Sequence, residues 1–343
     1  MRLLILGGIP YKERPATFGG TTVLMQNFLD YCSINNIAYR LIATNRYSGN
    51  FREIKNLTYT IVQLLVFSWR YDCIMFNASS LKGCYTIYPI VLFFAKMSKS
   101  KVIFRRFAGS LKRYLEGHKA RKKIVLFCLR NSDLSFFETK EQVEYFRNYK
   151  VKCKWFPNVR ERMIDRDSLP TDKTYCHKFV FMGHVKKTKG VGEILSAFSE
   201  LSDEYHIDIY GRLDDFSASE LNRSNVAYKG VLEPKDVCKT LLEYDALVLP
   251  SYMEGYPGIV IEAFSVGLPV IVTNVGGIPE IVENKVMGYI IPPRDYKALI
   301  EAIKNMSGAK YTVMSKNALA AFDANFDSER VNLNILREIT NLR

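Results

Sequence analysis

Two glutamates interrupt a stretch that is otherwise small or apolar. They are Glu254 and Glu262, in the sequence PSYMEGYPGIVIEAFSVGLPVIVTNVGGIPE at residues 250–280. An unpaired carboxylate in a buried helix is costly, so this pattern favours a ligand that offers hydroxyl groups to both side chains. Taken alone, Glu262 also fits an exposed helix residue, and Glu254 also fits an acid at a helix N-terminus.

The loop that carries Glu254 has the composition of an anion site. Residues 245–251 predict a buried strand and a helix follows from Gly258, so the loop lies at the carboxyl edge of a parallel sheet, where ligands bind. Gly255 and Gly258 let backbone amides approach a ligand, and the free N–H groups at the helix start favour an anion. Glu262, about one turn into the helix, leans back toward the same edge. A nucleoside diphosphate sugar would have hydroxyl groups for both glutamates.

A second element with anion-binding character precedes this loop. The sequence FVFMGHVKKTKGVGEILSAF at 179–198 predicts a strand that ends at Gly183, a basic loop and an amphipathic helix that begins near Gly190. Lysines at a strand's carboxyl end and a helix's amino end are placed to neutralise a phosphate. Lysines in loops are commonly solvated, and of the three here only Lys189, next to Gly190, is predicted to contact a ligand.

Strand-like runs alternate with helical segments along the whole chain, which is typical of α/β folds with parallel sheets. The runs form two consecutive groups separated by a polar stretch with turn signals at 158–175, which predicts two domains. We place the domains at 1–165 and 166–325. A last helical segment at 326–343 could pack on either domain. The predicted strands are 2–8, 38–44, 72–79, 101–107 and 134–139 in the first group, and 178–184, 206–211, 226–231, 245–251 and 269–274 in the second.

The second half resembles the donor-binding domain of retaining glycosyltransferases of family 4. The spacing of Glu254 and Glu262 matches that family's E-x7-E motif, and residues 254–258 match its EGxPG loop. The segments YKGVL, GLPVIVTNVGGIPEIV and NKVMGYIIPPRD extend the similarity over 178–295. The resemblance implies the GT-B fold, in which two Rossmann-like, doubly wound α/β domains face each other.

The resemblance also implies roles for individual residues. Glu262 would bind the nucleotide ribose, Glu254 the hydroxyls of the donor sugar, and Lys189 the diphosphate, where it stabilises the leaving group. Further donor contacts implied by the family pattern are Gly183, His184, Gly255, Tyr256, Pro257 and Gly258, together with Gly19 and Gly20 of the sequence FGGTT. For that glycine pair an ordinary turn at a helix start is the alternative.

Two features depart from the family pattern. His184 stands where the family commonly has an arginine, so a fixed charge becomes a titratable one, and Lys186 or Arg212 could compensate. In the first half the family's His-Gly pair is absent, and IFRRFAGS supplies Arg105 and Arg106, which we assign to the acceptor side. No first-half residue is assigned to catalysis.

The charge of the chain is concentrated in its first half. The net charge is +13, yet residues 1–150 carry 24 Lys and Arg against 9 Asp and Glu. The densest part, 101–130, fits either a solvated basic helix or a surface that meets anionic lipid head groups or an anionic acceptor. No nucleic-acid module is present, so we expect no nucleic-acid partner. The apolar run 84–97 is too short for a bilayer span and predicts a packed or interfacial helix.

We therefore predict an enzyme that transfers a hexose-type sugar, with retention, from a nucleoside diphosphate sugar to a glycan or lipid-linked acceptor. The resemblance points to bacterial surface polysaccharide synthesis: capsule, O-antigen or exopolysaccharide. No metal and no cofactor are expected, because Lys189 would supply the positive charge that stabilises the diphosphate. Seven cysteines without ligand spacing predict a reducing, cytoplasmic setting. The basic first half further predicts a peripheral location on the inner membrane face. The alternatives are a nucleotide-sugar epimerase, a hydrolase such as a glycosidase, and a non-catalytic membrane adaptor.

Overall fold

A computed structural model describes residues 1–11, 13, 20–107, 109–164, 176–306 and 308–342 of the chain. The chain forms two compact units. Unit 1 comprises Met1–Asn158 and Glu329–Arg343, and unit 2 comprises Val159–Ser328. The polypeptide therefore leaves unit 1, completes unit 2 and returns to unit 1.

Unit 1 is built on a parallel sheet of six strands in the order β2-β1-β3-β4-β5-β6. The strands are β1 (Leu3–Gly7), β2 (Tyr39–Ala43), β3 (Cys73–Ala78), β4 (Lys101–Arg106), β5 (Leu134–Phe137) and β6 (Cys153–Trp155). Its helices are α1 (Gly20–Ile34), α2 (Arg52–Phe67), α3 (Gly83–Ser98), α4 (Leu111–Glu116), α5 (Lys119–Arg130), α6 (Lys140–Arg147) and, after unit 2, α14 (Ser328–Thr340). A short 3-10 helix, Ser68–Arg70, extends α2.

Unit 2 repeats this plan with the strand order β12-β11-β10-β7-β8-β9, again all parallel. The strands are β7 (Lys178–Met182), β8 (His206–Tyr210), β9 (Val226–Gly230), β10 (Ala246–Leu249), β11 (Val270–Thr273) and β12 (Gly288–Ile291). The helices are α7 (Val191–Glu200), α8 (Ala218–Leu221), α9 (Val237–Leu241), α10 (Gly258–Ser265), α11 (Ile278–Ile281), α12 (Tyr296–Asn305) and α13 (Gly308–Asn325).

The strand sequences explain why both sheets are parallel and buried. Every residue of β1, with the sequence LLILG, and of β10, with the sequence ALVL, is buried. Such continuous apolar runs suit strands that helices cover on both faces. The predicted α/β class with two doubly wound units is confirmed. Two strands were not predicted: β6 has only three residues, and β12 begins at Gly288, within the family-like segment NKVMGYIIPPRD.

The last helix completes unit 1. Along α14 the side chains of Ile335, Leu336 and Ile339 are buried, while Lys154 Nζ contacts Glu338 Oε1 at 2.5 Å. Burial of three large aliphatic side chains contributes several kcal/mol at about 1.5–3 kcal/mol each. This helix is therefore an integral part of unit 1, although 170 residues of unit 2 precede it.

Candidate functional site

Lys189 and Glu254 meet at the carboxyl edge of the sheet of unit 2. Lys189 Nζ donates a hydrogen bond to Glu254 Oε1 at 2.5 Å, and Ser251 Oγ donates to the same oxygen at 2.7 Å. The Glu254 side chain is only 8% exposed. Both bonds reach Oε1, so that Oε2 retains acceptor capacity toward a hydroxyl donor. The two residues predicted to act on the donor therefore lie side by side.

The backbone of two loops fixes the position of Lys189. Lys189 ends the 3-10 turn Lys187–Lys189, and Gly190 follows in the left-handed conformation with φ of 76°. A Cβ on Gly190 would lie 2.0 Å from the carbonyl oxygen of Pro250, so only glycine fits between the loops. Tyr252 N donates to the Thr188 carbonyl at 2.9 Å, which ties the lysine loop to the loop after β10.

A second pair of glycines supports the backbone of residues 254–255. Gly276, with φ of 57°, packs so closely that a Cβ there would lie 2.0 Å from the Glu254 carbonyl oxygen. Gly277 N donates to the Gly255 carbonyl at 2.7 Å. In contrast, a Cβ on Gly255 would meet no atom within 4 Å. Gly255 therefore faces open space, which leaves room for a ligand close to the backbone.

The helix α10 presents its amino end at the same edge. Pro257 occupies the N-cap position and no side chain caps the helix, so the first N–H groups of α10 are not satisfied by an N-cap side chain. These N–H groups and the helix dipole favour an anion. Tyr256 is buried and packs its ring against Phe326 with ring centroids 6.5 Å apart, so its side chain has a packing role.

Glu262 is paired with an arginine that the sequence analysis did not identify. Arg160 Nε donates to Glu262 Oε1 at 2.5 Å, and both side chains are about one fifth exposed. The Arg160 guanidinium lies over the start of α10, because a Cβ on Gly258 would fall 1.8 Å from Arg160 Nη2. Arg160 follows the Pro157–Asn158 turn and belongs to no motif, so the sequence offered no signal for this contact.

The basic loop after β7 is held by two aspartates, Asp214 and Asp215. His184 Nδ1 and Asp214 Oδ2 hydrogen bond at 2.9 Å, and Arg212 Nε donates to Asp214 Oδ1 at 2.9 Å. The hydrogen bond with His184, and then Arg212, lower the pKa of the Asp214 carboxyl below its usual value. Asp215 Oδ2 accepts from Lys187 N at 2.9 Å. Arg212 therefore lies close to His184, as it must if it is to compensate for the missing arginine.

The candidates in the first half are placed differently. Gly19 lies outside the described residues, and Gly20 is the first residue of α1. Arg105 and Arg106 lie in β4 with exposures of only 2% and 3%. The Arg105 guanidinium stacks on Phe156 at 3.4 Å, and Arg106 Nη1 donates to the Ala78 carbonyl at 2.6 Å. Burial lowers the pKa of both guanidinium groups. Their assignment to the acceptor side stays a prediction. Because both side chains are buried, they would act on an acceptor by supporting the residues around them.

Unit 1 has its own cavity, of about 770 Å³, at the carboxyl ends of β2 and β3. This volume lies within the range of roughly 300–1,000 Å³ that small-molecule sites occupy. Its lining includes Asn45, Tyr47, Arg52, Ser79, Ser80 and Lys82. Hydroxyl, amide and charged groups around an aromatic ring can bind a polyhydroxylated molecule.

The described residues contain neither a cluster of metal ligands nor a helix able to span a membrane. No group of three or more His, Cys, Asp or Glu side chains in this part of the chain is arranged to hold a metal ion. None of its helices has the length and apolarity that crossing a bilayer requires.

Comparisons with known proteins bear on the sequence pattern of residues 164–318 and on the fold. Residues 164–318 match the family model described as glycosyl transferases group 1, and this range contains Lys189, Glu254 and Glu262. The chain is 34% identical over 145 residues to a Bacillus subtilis protein named as a teichuronic acid biosynthesis glycosyltransferase, TuaC, covering 42% of this chain and 36% of that protein. It is 28% identical over 137 residues to the capsular polysaccharide biosynthesis glycosyltransferase CapM of Staphylococcus aureus, covering 37% and 35%. The chain thus matches about a third of the length of these relatives.

Among solved structures, the chain is similar to Anabaena HepE in complex with UDP. The TM-score is 0.72 at 12% identity, and the superposition covers 99% of this chain and 100% of that one. At this identity the likeness establishes the fold, which extends over both units. Residues 164–318 therefore carry the pattern of the group 1 glycosyl transferases, in a chain that has the GT-B fold.

Proposed function

We propose that this chain is a retaining glycosyltransferase that moves a hexose-type sugar from a nucleoside diphosphate sugar to a hydroxyl group of a glycan or lipid-linked saccharide. The observation that carries the proposal is the contact of Lys189 with Glu254 beside an uncapped helix start and the open face of Gly255. A cation and helix amides suit a diphosphate, and a carboxylate oxygen with spare acceptor capacity suits a sugar hydroxyl. The UDP named in the HepE structure supports a uridine nucleotide as the first donor class to test.

In the proposed reaction, the bond between the anomeric carbon and the diphosphate oxygen breaks, and a bond to the acceptor oxygen forms on the same face of the sugar. The acceptor's proton goes to the departing phosphate oxygen, so no protein base is required. Lys189 and the amides of α10 stabilise the negative charge of the leaving group, while Glu254 stabilises the positive charge that develops on the sugar. Glu262 holds the ribose. We expect the reaction to need no metal ion.

The acceptor is proposed to be an intermediate of a bacterial surface polysaccharide. Two relatives named for teichuronic acid and capsular polysaccharide biosynthesis support this class. The unit 1 cavity, with its polar lining around Tyr47, is the place that we propose for the acceptor saccharide. Since such intermediates are commonly lipid-linked and unit 1 is basic, we further propose that the chain works in the cytoplasm at an anionic membrane surface.

The decisive experiment is a donor screen with product analysis. Uridine, guanosine and adenosine diphosphate sugars are tested for thermal stabilisation, and the stabilising donor is then incubated with lipid-linked saccharide acceptors from bacteria. We expect an α- or β-linked product with the donor's own anomeric configuration, identified by NMR. Inverted product would contradict retention. Epimerised donor without acceptor, or cleavage of a plain glycoside, would favour the epimerase or the hydrolase instead.

A further inference from the structure

The outward face of α2 has an unusual composition for a helix exposed to water. Residues 56–69, with the sequence NLTYTIVQLLVFSW, contain no charged side chain. The inner face of α2 buries Leu64 in the core of unit 1. The outer face exposes large apolar side chains at helical spacing: Phe51, Ile54, Val62, Leu65, Val66 and Trp69. A helix at a protein–water boundary ordinarily carries polar residues on that side.

Neighbouring helices continue this apolar surface. The helix α3 packs against both α2 and α5. The ends of α2 and α3 are joined where Ser100 Oγ donates to the Tyr71 carbonyl at 2.8 Å, and those of α3 and α5 where Lys96 Nζ donates to Asn131 Oδ1 at 2.8 Å. Near these ends α3 exposes Phe93 and Met97, and α5 exposes Phe127.

Basic residues surround this surface. Arg70 follows α2, Lys96 and Lys99 end α3, and Lys123 and Arg130 lie on α5, all of them exposed. The acids closest in sequence to these helix ends, Asp72 and Asp133, contact Arg2 and Lys101. Large apolar side chains within a basic border are what an anionic bilayer interface binds, because the apolar groups enter the acyl boundary while the cations meet the head groups. Trp69, 56% exposed, is of the residue type enriched at that boundary.

We propose that the carboxyl-terminal ends of α2, α3 and α5 form the membrane-docking face of this protein, and that its partner is a bilayer of anionic phospholipid. The docking face consists of Leu65, Val66, Trp69, Phe93, Met97 and Phe127 with the basic border named above. It overlaps our sequence-based expectation, which centred on 101–130, only along α5, because three basic residues earlier in that stretch have other contacts: Arg105 and Arg106 are buried, and Lys112 contacts Glu141 at 2.7 Å. The inference rests on the proposed membrane-associated function and assigns it a surface.

The test is co-sedimentation of the full chain with vesicles that contain phosphatidylglycerol, and with vesicles of phosphatidylcholine alone. The double variant Val66→Glu/Trp69→Glu should lose at least tenfold in partitioning to the anionic vesicles. A matched control is Val313→Glu, which changes an exposed valine of α13 in unit 2 and should bind like the parent: Val66 is 49% and Val313 58% exposed. A charge variant, Arg70→Glu/Lys123→Glu, should lose binding comparably, whereas Lys304→Glu/Lys316→Glu should not. The charge variants keep the test decisive even where the apolar substitutions impair folding.

Three outcomes would overturn the proposal. The first is that the parent protein binds equally to both vesicle types, and the second is that the two docking-face double variants bind anionic vesicles as well as their controls do. The third is that the parent is a dimer in sedimentation velocity and Val66→Glu/Trp69→Glu converts it to a monomer, which would show that a second copy covers the face. UDP binding measured by calorimetry on the same proteins separates this inference from the enzymatic proposal. If no protein binds a nucleotide but vesicle binding still depends on the docking face, the enzymatic proposal fails and the surface assignment stands.

Discussion

Arg160 Nε lies 2.5 Å from Glu262 Oε1, at the start of a helix that is otherwise almost entirely apolar. This contact explains how a carboxylate is accommodated in α10: the arginine compensates its charge, and a ligand is not required for that purpose. The pair also places a guanidinium directly over Gly258, next to the open amides of the same helix. Glu262 is therefore held in place without a ligand, and for the ribose-binding role proposed above this reduces the conformational entropy that donor binding would have to overcome.

A substitution in the Arg160–Glu262 pair can distinguish a structural role of Glu262 from a role in ligand binding. Glu262→Gln removes the charge but keeps the shape, and we expect a stability loss of about 1–3 kcal/mol, because it weakens the charged hydrogen bond that a largely buried guanidinium makes with Glu262. Nucleotide affinity should fall about tenfold or more if Glu262 also binds the ribose. Urea unfolding and calorimetry with UDP measure the two effects.

The control for this variant is a second ion pair of unit 2. Arg162 pairs with Asp323 at similar exposure. Arg162→Ala should lower stability by a comparable amount and leave UDP affinity unchanged. Unchanged UDP affinity in Glu262→Gln would contradict the assignment of Glu262 to the ribose.

Lys189→Ala should lower kcat by about 100–1,000-fold, the usual effect of removing one preorganised group that stabilises transition-state charge. The same change leaves Glu254, 8% exposed, with Ser251 as its remaining hydrogen-bond donor among the described residues, and should cost about 1–3 kcal/mol of stability. Adding Glu254→Gln should restore part of the stability and none of the activity. Lys187→Ala, in the same turn but exposed, is the matched control, and near-parental turnover by Lys189→Ala would rule out its role at the leaving group.

Gly255→Ala offers a test that leaves the fold intact. The added methyl group would meet no atom within 4 Å and the backbone there has no left-handed φ, so the melting temperature should be unchanged or slightly higher. If a donor lies against this backbone, the methyl group occupies its space, and we expect UDP-sugar affinity to drop about tenfold, or about 1.4 kcal/mol. Gly192→Ala, also in open space but in α7, should keep both stability and affinity. Parental affinity in Gly255→Ala would move the donor away from this loop.

The His184–Asp214–Arg212 cluster should contribute to the affinity for a diphosphate. His184→Arg places a guanidinium with a fixed charge at this position and should bind UDP more tightly than the parent, whereas His184→Ala should bind it more weakly. Calorimetry with UDP measures both. Parental affinity in His184→Ala would indicate that Arg212 alone supplies the charge.

The same cluster predicts an acid limit for folding. The pKa of Asp214 is lower in the folded chain than in the unfolded one, so its contribution to stability is present above the unfolded value and is lost as pH falls through the lowered value. Asp214→Asn should therefore reduce the dependence of unfolding on pH in the acid range, below about pH 4. Thermal unfolding at several acid pH values measures it. A parallel loss of stability in both proteins would contradict the effect.

Much of the fold and part of the site could be predicted from local sequence. Strand-like runs of six to eight residues between helical segments identified ten of the twelve strands, most clearly where a strand is buried on both faces and has no polar alternation. Lys189 and Glu254 could be placed at one edge, since the carboxyl ends of parallel strands converge there. The role of Arg160 could not be predicted, because Arg160 is 102 positions before Glu262 in the sequence and reaches α10 only through the fold of the chain.

In unit 1 the sequence did not predict which side chains are buried and which are exposed. A run of basic residues suggested a charged surface, yet the structure buries Arg105 and Arg106, and it exposes an apolar face on α2 for which the sequence had given no prediction. Residue type gives the chemistry of a side chain, whereas strand register and helix packing decide which way it points. The cavity of unit 1 has the same origin, because residues from two loops and two helices line it and no single segment has a motif.

The return of α14 to unit 1 has a consequence for synthesis on the ribosome. Unit 2 is contiguous and can fold as soon as its last strand and helices emerge, but the buried side chains of Ile335, Leu336 and Ile339 reach unit 1 only when residues 328–340 have been made. Unit 1 is thus begun before unit 2 and completed after it. A nascent chain halted before α14 would carry an exposed apolar seam on unit 1, and it is this intermediate, rather than the full-length protein, that chaperones would be expected to bind.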